Sequence, residues 1–577
     1  MLEQRNLILA IVLSLLILVG FNFVYDKPRN AEIARQADLV QARQTATESL
    51  VKSPELVPVV AQPLSRAEAV AQDQRVSIRT AKLQGSINLK GGRLDDVALV
   101  DYHETTAKDS PEILLLNPQN TKGGYFVDFG WIGQEKLPDA NTVWKVQSES
   151  AEGKTSLTAA KPVTLVWDNG SGLRFERVFS VDNDYLFTIT DRVINTGKQD
   201  IKLQPYGQVT RVGTPQTSGY YILHEGAVGV IEGRLKEFDY PKLIKEREVS
   251  QVTTGGWLGF TDKYWLVALV PDQKSPVQTR FSGSGEGEIY RCDMRGAEQT
   301  VKPGDLIEHH QSVFSGAKVL RLLDSYEEKK GFERFDLAVD FGWFYFVTKP
   351  LFYVLEFLHQ LLGNLGVAIL VLTVFVKVLF YPLANKSFRS MARMKMMQPR
   401  LEALKQKYAH DKMRMNQELM EFYKKEKINP MSGCLPMLIQ APVFFCLYKV
   451  FFVTIEMRHA PFFGWIQDLS TPDPTSVFNL FGLLPWAPPS FLMIGALPLL
   501  MGGTMLLQQR LNPQPVDPAQ ARIMLIMPIM FTYLFASFPS GLVIYWAWSN
   551  ILSIAQQMLI THRASKEPVS VKKPKKR

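Results

Sequence analysis

Leu372-Thr373-Val374-Phe375-Val376-Lys377-Val378-Leu379-Phe380-Tyr381-Pro382 is a run of side chains suited to lipid, with one lysine in its middle. It lies in an apolar segment, residues 363–383, of about the ~20 residues a helix needs to cross a bilayer. Further segments of this kind follow at residues 434–454, 491–507, 523–538 and 542–560. The last two are parted only by Pro539-Ser540-Gly541, a turn that makes them a helical hairpin. Residues 523–538 are short for a span and contain Pro528, which a thinned bilayer or neighbouring helices accommodate. The stretch before the first segment differs. Lys349, Glu356 and Gln360 form one polar stripe on an otherwise apolar helix, the pattern of a helix lying in the membrane interface. An interfacial helix at 336–362 and a five-helix core at 363–562 are therefore expected.

Charge then assigns the loops to sides. Residues 385–430 hold twelve Lys and Arg, residues 455–490 hold one (Arg458), and the tail past Thr561 holds seven. The positive-inside rule makes the first loop and the tail cytoplasmic. Near the N-terminus, residues 7–24 run uncharged between Arg5 and Lys27, with no pair of small residues to mark a cleavage site. Residues 1–26 thus read as a retained anchor rather than a cleaved signal. Six spans put both termini inside and the middle of the chain outside. Counting the interfacial helix as a further span would expose the most basic loop, so it is not counted.

The 577 residues average to a mean hydropathy of −0.04, with 46% hydrophobic side chains and a net charge of +9. That average hides a polar, turn-rich middle. Residues 27–75 are rich in Ala, Gln, Arg, Glu and Pro, a linker composition. Beyond them the period becomes two: Leu173 and Phe175 alternate with Arg174 and Glu176, Phe187 and Ile189 with Thr188 and Thr190. Asn169-Gly170, Asp182-Asn183-Asp184 and Asn195-Thr196-Gly197 punctuate the strands. Residues 76–335 are predicted to form a large antiparallel β-sandwich outside the membrane. Three cysteines make no disulfide framework, and no C-x-x-C pair is present. No nucleotide-cradling G-x-x-x-x-G-K-[ST], H-E-x-x-H or G-x-S-x-G occurs. His309-His310 are adjacent, so on a strand they face opposite ways. No enzyme activity, nucleotide, cofactor or metal is expected.

A lysine at the centre of a spanning helix costs ~2.5–3.5 kcal/mol on insertion scales. Two readings fit Lys377. It precedes Pro382 by five residues, about 7.5 Å of helix, so its stem nearly reaches the cytoplasmic headgroups. Alternatively it faces a wet cavity, in the company of Thr373 one turn away and of Gln440, Thr504, Gln509, Thr532, Ser537, Ser549 and Asn550. In residues 385–430, Met391, Met394, Leu401, Leu404 and Tyr408 recur at helical spacing. The pattern breaks at His410-Asp411 and resumes at Leu419, Phe422 and Tyr423, as in an antiparallel helical hairpin. Its methionines suit adaptable apolar contacts, and the final Lys572-Lys573-Pro574-Lys575-Lys576-Arg577 suits ribosomal RNA or anionic lipid. Two rival readings fit less well. A secondary transporter using the lysine as substrate or proton site lacks an inverted repeat or a matched pair of broken helices. A glycan-binding domain on a passive anchor leaves the polar residues of five spans unexplained.

Three stretches, in this order, resemble the YidC family of bacterial membrane protein insertases, of the Gram-negative type with a large periplasmic domain. They are Tyr381-Pro382-Leu383, the run from Asn429-Pro430-Met431 through Gly433-Cys434-Leu435-Pro436 to Gln440-Ala441-Pro442, and Phe538-Pro539-Ser540-Gly541-Leu542 continuing to Tyr545-Trp546. The resemblance covers nearly the whole chain. It implies a polytopic α-helical protein of the inner membrane: an anchor plus a five-helix core, a periplasmic antiparallel β-sandwich, and a hydrophilic groove open to the cytoplasm and to lipid. It also implies nascent membrane proteins as clients, work alone or beside the Sec translocon, and contact with the ribosome and anionic lipids. The groove is then expected at Lys377, where the family usually has arginine, and at Thr373, Gln440, Gln509, Tyr545 and Trp546. The client path is expected at Phe444, Pro442 and Met437, and cytoplasmic hairpin contacts at Met391, Met394, Met397 and Arg400.

Overall fold

Alternation in sequence becomes alternation of burial. In the strand Leu173–Val181 every second side chain is buried, Leu173, Phe175, Arg177, Phe179 and Val181, and those between are half-exposed. A computed structural model of the chain describes residues 63–147, 155–218, 223–342, 344–408, 410–426, 435–486, 488–512 and 518–566. The expected anchor at 1–26, the linker up to residue 62, the segment Asn429–Cys434, the Met437 side chain and the tail from 567 lie outside the described residues.

Within those residues an eleven-stranded and a nine-stranded sheet form the β domain. Their pairings are antiparallel, save a two-residue parallel contact of Ser77–Ile78 with Ser156–Leu157. Side chains cross between the sheets: Phe129 meets Phe179 edge-on at 6.1 Å, and Cys292 Sγ donates to Gly259 O at 3.3 Å. Those contacts make it a sandwich, and the apolar core between its layers is continuous with buried side chains of the helices that follow. His309 and His310 do point to opposite faces; His310 reaches Thr190 Oγ1 at 3.0 Å while His309 lies edge-on to Trp131. The linker ends sooner than residue 75. Helix α1 (Arg66–Gln72) is ordered by a capping box between Ser65 and Glu68, and Arg66 Nη2 pairs with Asp96 at 2.6 Å.

Helix α2 (Tyr240–Glu246) and the domain's last helix, α3 (Leu320–Lys330), complete this part. Just before α3, Lys318 is buried and donates to Thr261 Oγ1 at 2.9 Å. Burial pushes its ammonium down to about 8, against the opposing pull of Asp262, Asp340 and Glu225. The unfolded chain keeps that proton up to about 10.4. Stability is therefore expected to rise as pH climbs from about 8 toward 10 and to carry the full desolvation cost below 8. Lys318→Met should raise the melting temperature at pH 7 by several degrees and abolish the rise, as thermal melts at pH 7 and 9.5 would read.

The expected interfacial helix is α4 (Tyr345–Leu362). Its polar stripe has partners in the β domain. Lys349 Nζ bonds Asp324 at 2.9 Å and Asp336 at 2.5 Å, Arg321 pairs with Glu356 at 2.6 Å, and Gln360 donates to Glu356. The face flanking that stripe exposes Phe346, Phe357 and Leu361, across the helix from the buried Thr348, Phe352 and Leu355.

Helix α5 (Leu365–Leu379) starts on the Asn364 cap and stops short of the expected residue 383. There the chain bends by 69° into α6 (Tyr381–Met396), because Pro382 cannot supply the amide that would continue α5. Met391 and Met394 belong to α6, not to the hairpin as expected. Helices α7 (Gln398–Lys407) and α8 (Lys412–Lys425) form a separate unit. Gln398-Pro399 restarts the helix after Met397, Asp411 caps Met413 N and Arg414 N, and Arg400 meets Glu426 at 3.8 Å, which makes the pair antiparallel.

Four more helices follow: α9 (Leu435–Val453), α10 (Ala496–Leu511), α11 (Pro518–Phe535) and α12 (Ser540–Lys566). They fall on the four later apolar segments, with α10 starting five residues later than the sequence pattern and α12 running six further. Among the described residues no single helix is long and apolar enough to cross a membrane by itself; the bent pair α5–α6 meets that criterion jointly. Helices α5 and α10 have only 15 and 16 residues, and α12 is rich in polar side chains. Pro442 and Pro528 lie inside the continuous helices α9 and α11, and α12 carries Ser549, Asn550, Ser553, Gln556 and Gln557. Lys449, near the end of α9, pairs with Asp340 at 2.8 Å.

Candidate functional site

The residues that spoil the hydropathy of α12 lie along one face of it. Tyr545, Ser549, Ser553 and Gln556 follow one another at i, i+4, i+8 and i+11, from the turn after α11 toward the helix end. They line one wall of a half-open cavity of about 600 Å³ lined also by α5, α6, α9, α10 and α11. Gln508, Gln509 and Asn512, at the far end of α10, are polar members of the lining; Met391 and Phe388 come from α6. The other end of the cavity is aromatic. Trp546 meets Phe444 edge-on at 4.7 Å, with Phe535 at 5.1 Å, and Phe538 packs on Tyr448 at 5.8 Å. One chamber therefore grades from amides and hydroxyls to aromatic rings.

Lys377 is the sole charged side chain among those lining it. Its Nζ donates to Ser553 Oγ at 2.9 Å and to Gln440 Oε1 at 3.2 Å. Gln440 is itself held, since its Nε2 donates to the Tyr545 hydroxyl. No carboxylate among the described residues pairs with this ammonium, which has three protons to donate and uses two. It is thus a half-buried cation, held in place by neutral oxygens and open to an acceptor from outside.

Of the expected groove residues, Lys377, Gln440, Gln509, Tyr545 and Trp546 line this cavity, as does Phe444 from the expected client path. Thr373 does not: it is buried, and its hydroxyl bonds back to Ile369 O at 2.7 Å. Pro442 is exposed and away from the lining. Met391 is brought into the cavity wall, where Phe388 and Ile560 pack with it. Ser553, Gln556, Gln508 and Asn512 were missed, although their spacing from Ser549 and Gln509 on one helix face is readable. The helices around the cavity approach closely. A Cβ on Gly502 of α10 would fall 1.9 Å from Thr532 Oγ1 of α11, whose hydroxyl satisfies the Pro528 carbonyl at 2.8 Å. Asn550 Nδ2 donates to Thr504 Oγ1 and Gln557 Nε2 to Asn512 Oδ1, both at 3.1 Å, tying α12 to α10.

Two family models match the chain: the YidC periplasmic domain over residues 75–354 and the 60Kd inner membrane protein over residues 357–567. The membrane protein insertase YidC of Methylobacterium nodulans is 48% identical over 585 residues, covering 97% of this chain and 95% of its own. That of Beijerinckia indica is 49% identical over 588 residues, covering 97% and 96%. A crystal structure of an active YidC insertase with its first transmembrane domain resolved covers 85% of this chain and 95% of its own, at 19% identity and a TM-score of 0.34.

Proposed function

The chain belongs to the YidC family of inner-membrane protein insertases with a periplasmic domain, and we propose that its insertase activity runs through the cavity at Lys377. A hydrophobic segment of a nascent membrane protein docks along the aromatic end, at Phe444 and Trp546, while its short polar flank rests among Gln440, Gln509, Ser553 and the ammonium. The observation that carries this reading is the lone, hydrogen-bonded cation in a chamber graded from polar to aromatic.

Magnitudes favour a barrier-lowering role. A dozen Leu, Ile, Val or Phe residues entering a bilayer gain roughly 4–7 kcal/mol, and one carboxylate carried across the centre costs about 3 kcal/mol. Insertion is then downhill without a nucleotide, and what slows it is the passage of the polar flank. Polar oxygens and a cation part-way through the layer shorten the path over which that flank goes unsolvated. No chemical step is required of the protein. The transporter reading has no support in the comparisons.

The same reading places α5 and α9–α12 as spans around the cavity, the β domain in the periplasm and both termini in the cytoplasm. The charge asymmetry between residues 385–430 and 455–490 supports that topology. Helix α4 lies at the periplasmic interface, its apolar face toward lipid and its polar stripe toward the β domain. The basic α7–α8 hairpin, with Met397 and Arg400, and the cationic tail face the ribosome and anionic lipid, and the Sec translocon is a partner at the helical core. Photocrosslinkers at Phe444 and Trp546 should capture a ribosome-stalled nascent chain. A crosslinker at Met558, exposed on α12 and absent from the cavity lining, should not. Equal yields from all three sites would remove the cavity from the path.

A further inference from the structure

We propose that residues 476–486 and 488–495, between the periplasmic loop and α10, form a preformed apolar knob that sits in the lipid of the outer leaflet. The inference rests on the membrane placement of α10 and α11 argued above and adds a lipid contact outside the cavity.

This segment contains no Asp, Glu, Lys, Arg or His. It is nonetheless built, not loose. Val477 N donates to Ile494 O at 3.0 Å and Ser476 Oγ to Leu492 O at 2.9 Å, closing its two ends on each other. Inside, Phe481 N bonds Ser476 O at 2.7 Å, Leu484 N bonds Asn479 O at 3.0 Å, and Asn479 Oδ1 accepts from Gly482 N. The base is clamped by Asp473, whose carboxylate accepts from Leu497 N at 2.8 Å and from Trp465 Nε1 at 3.1 Å. Backbone amides turned inward are what a segment needs before it can enter a medium that offers no hydrogen bonds.

The side chains go the other way. Phe478, Leu480, Phe481, Leu483, Trp486 and Phe491 are all exposed, Leu483 at 82%. Leu480 and Phe481 adopt left-handed backbone angles (φ 50° and 58°), which bulky residues rarely do and which here turn their side chains outward. An exposed apolar patch of this density needs a cover. Lipid is the occupant, for two reasons. The patch runs in sequence straight into α10, which packs against α11, and Leu499, Leu500, Ile526 and Ile529 of these two helices are exposed apolar side chains. In addition, the 16 residues of α10 rise only about 24 Å, short of a ~30 Å hydrocarbon layer, and the knob supplies apolar surface where the helix falls short.

The test is a nitroxide at position 483 in the full chain, with the three cysteines replaced by alanine, reconstituted in lipid nanodiscs. Reference labels sit at Ile529 on α11 and at Val143, an exposed position of the β domain. Collision with oxygen and with a water-soluble nickel chelate is then measured. The label at 483 is expected to match 529: oxygen-accessible, with at least a fivefold lower nickel collision rate than at 143. A match to 143 overturns the proposal, because the knob is then in water. Shielding from both reagents also overturns it, because a protein, either a second copy or a partner, then covers the patch. Failure of the 529 label to behave as lipid-exposed would instead sink the membrane placement of α11. A second label at Phe491 guards against a local disturbance at 483 and is expected to give the same result.

Discussion

Lys377→Ala is expected to cut insertion of clients whose translocated flank carries Asp or Glu at least tenfold, and to change clients with uncharged flanks by less than threefold. The reason lies in the cation's surroundings. Ser553 and Gln440 hold the ammonium but do not neutralise it, so an incoming carboxylate meets a charge and an open N–H together. Two unit charges 4 Å apart attract by about 4 kcal/mol at an effective dielectric of 20 and by about 1 kcal/mol in water. A half-hydrated chamber falls between, and 1.4 kcal/mol already makes a factor of ten. Lysine offers a compact charge rather than the forked pair of an arginine, so Lys377→Arg should preserve the acidic clients, and Lys377→Glu should impair them more than alanine does. Protease protection of a radiolabelled client in cells depleted of the native insertase reads all three. Loss of fold is a separable outcome. Lys377→Met also removes a half-buried charge and should leave the melting temperature unchanged or higher while still losing acidic clients. Undiminished insertion of such clients by the alanine and methionine variants would end the role given to this residue.

How much of this was legible beforehand follows the range of each interaction. Strands with one wet face announce themselves by alternation, and Leu173–Val181 reads correctly because its register with Leu186–Asn195 needs only a two-residue period. Apolar runs located α5 and α9–α12 within a few residues. Local chemistry carries two further signals: the Ser65–Glu68 capping box that ends the linker, and Pro382, which bends α5 into α6 and places Met391 in the cavity wall rather than the hairpin. Thr373 misled because helical spacing places it on the face of Lys377 but says nothing of its hydroxyl, which the Ile369 carbonyl takes. Lys349 and Glu356 read as interface residues because their partners, Asp324, Asp336 and Arg321, lie in other elements. Pairing across such separations leaves no periodicity in a single sequence.

Arg177 is the sharpest instance of a core position that alternation alone reads as apolar, and Arg177→Ala is expected to be the most destabilising single change in the β domain. The side chain is about 1% exposed and its partner Asp191, directly opposite in the strand register, about 2%. Arg177 Nε donates to Asp191 Oδ1 at 2.6 Å and Nη1 to Gly92 O at 3.2 Å, with the guanidinium 5.1 Å from the Trp144 ring and 5.4 Å from Phe129. Truncation leaves a desolvated carboxylate without a counter-charge, a carbonyl without its donor and a void between two aromatic rings. Breaking a buried pair from one side costs about 3–5 kcal/mol, and for a domain of this size each kcal/mol moves the midpoint by roughly 2–4 °C. Melts of the full chain in detergent, followed by circular dichroism at a β-sheet wavelength, should fall by about 6–20 °C. The double variant Arg177→Met with Asp191→Leu removes both charges and keeps volume, so it should recover most of that loss; Asp191→Leu alone should not, because it strands the guanidinium instead. A melt of Arg177→Ala within 2 °C of the parent would mean that water reaches Asp191 and that the sandwich is not dry at this layer.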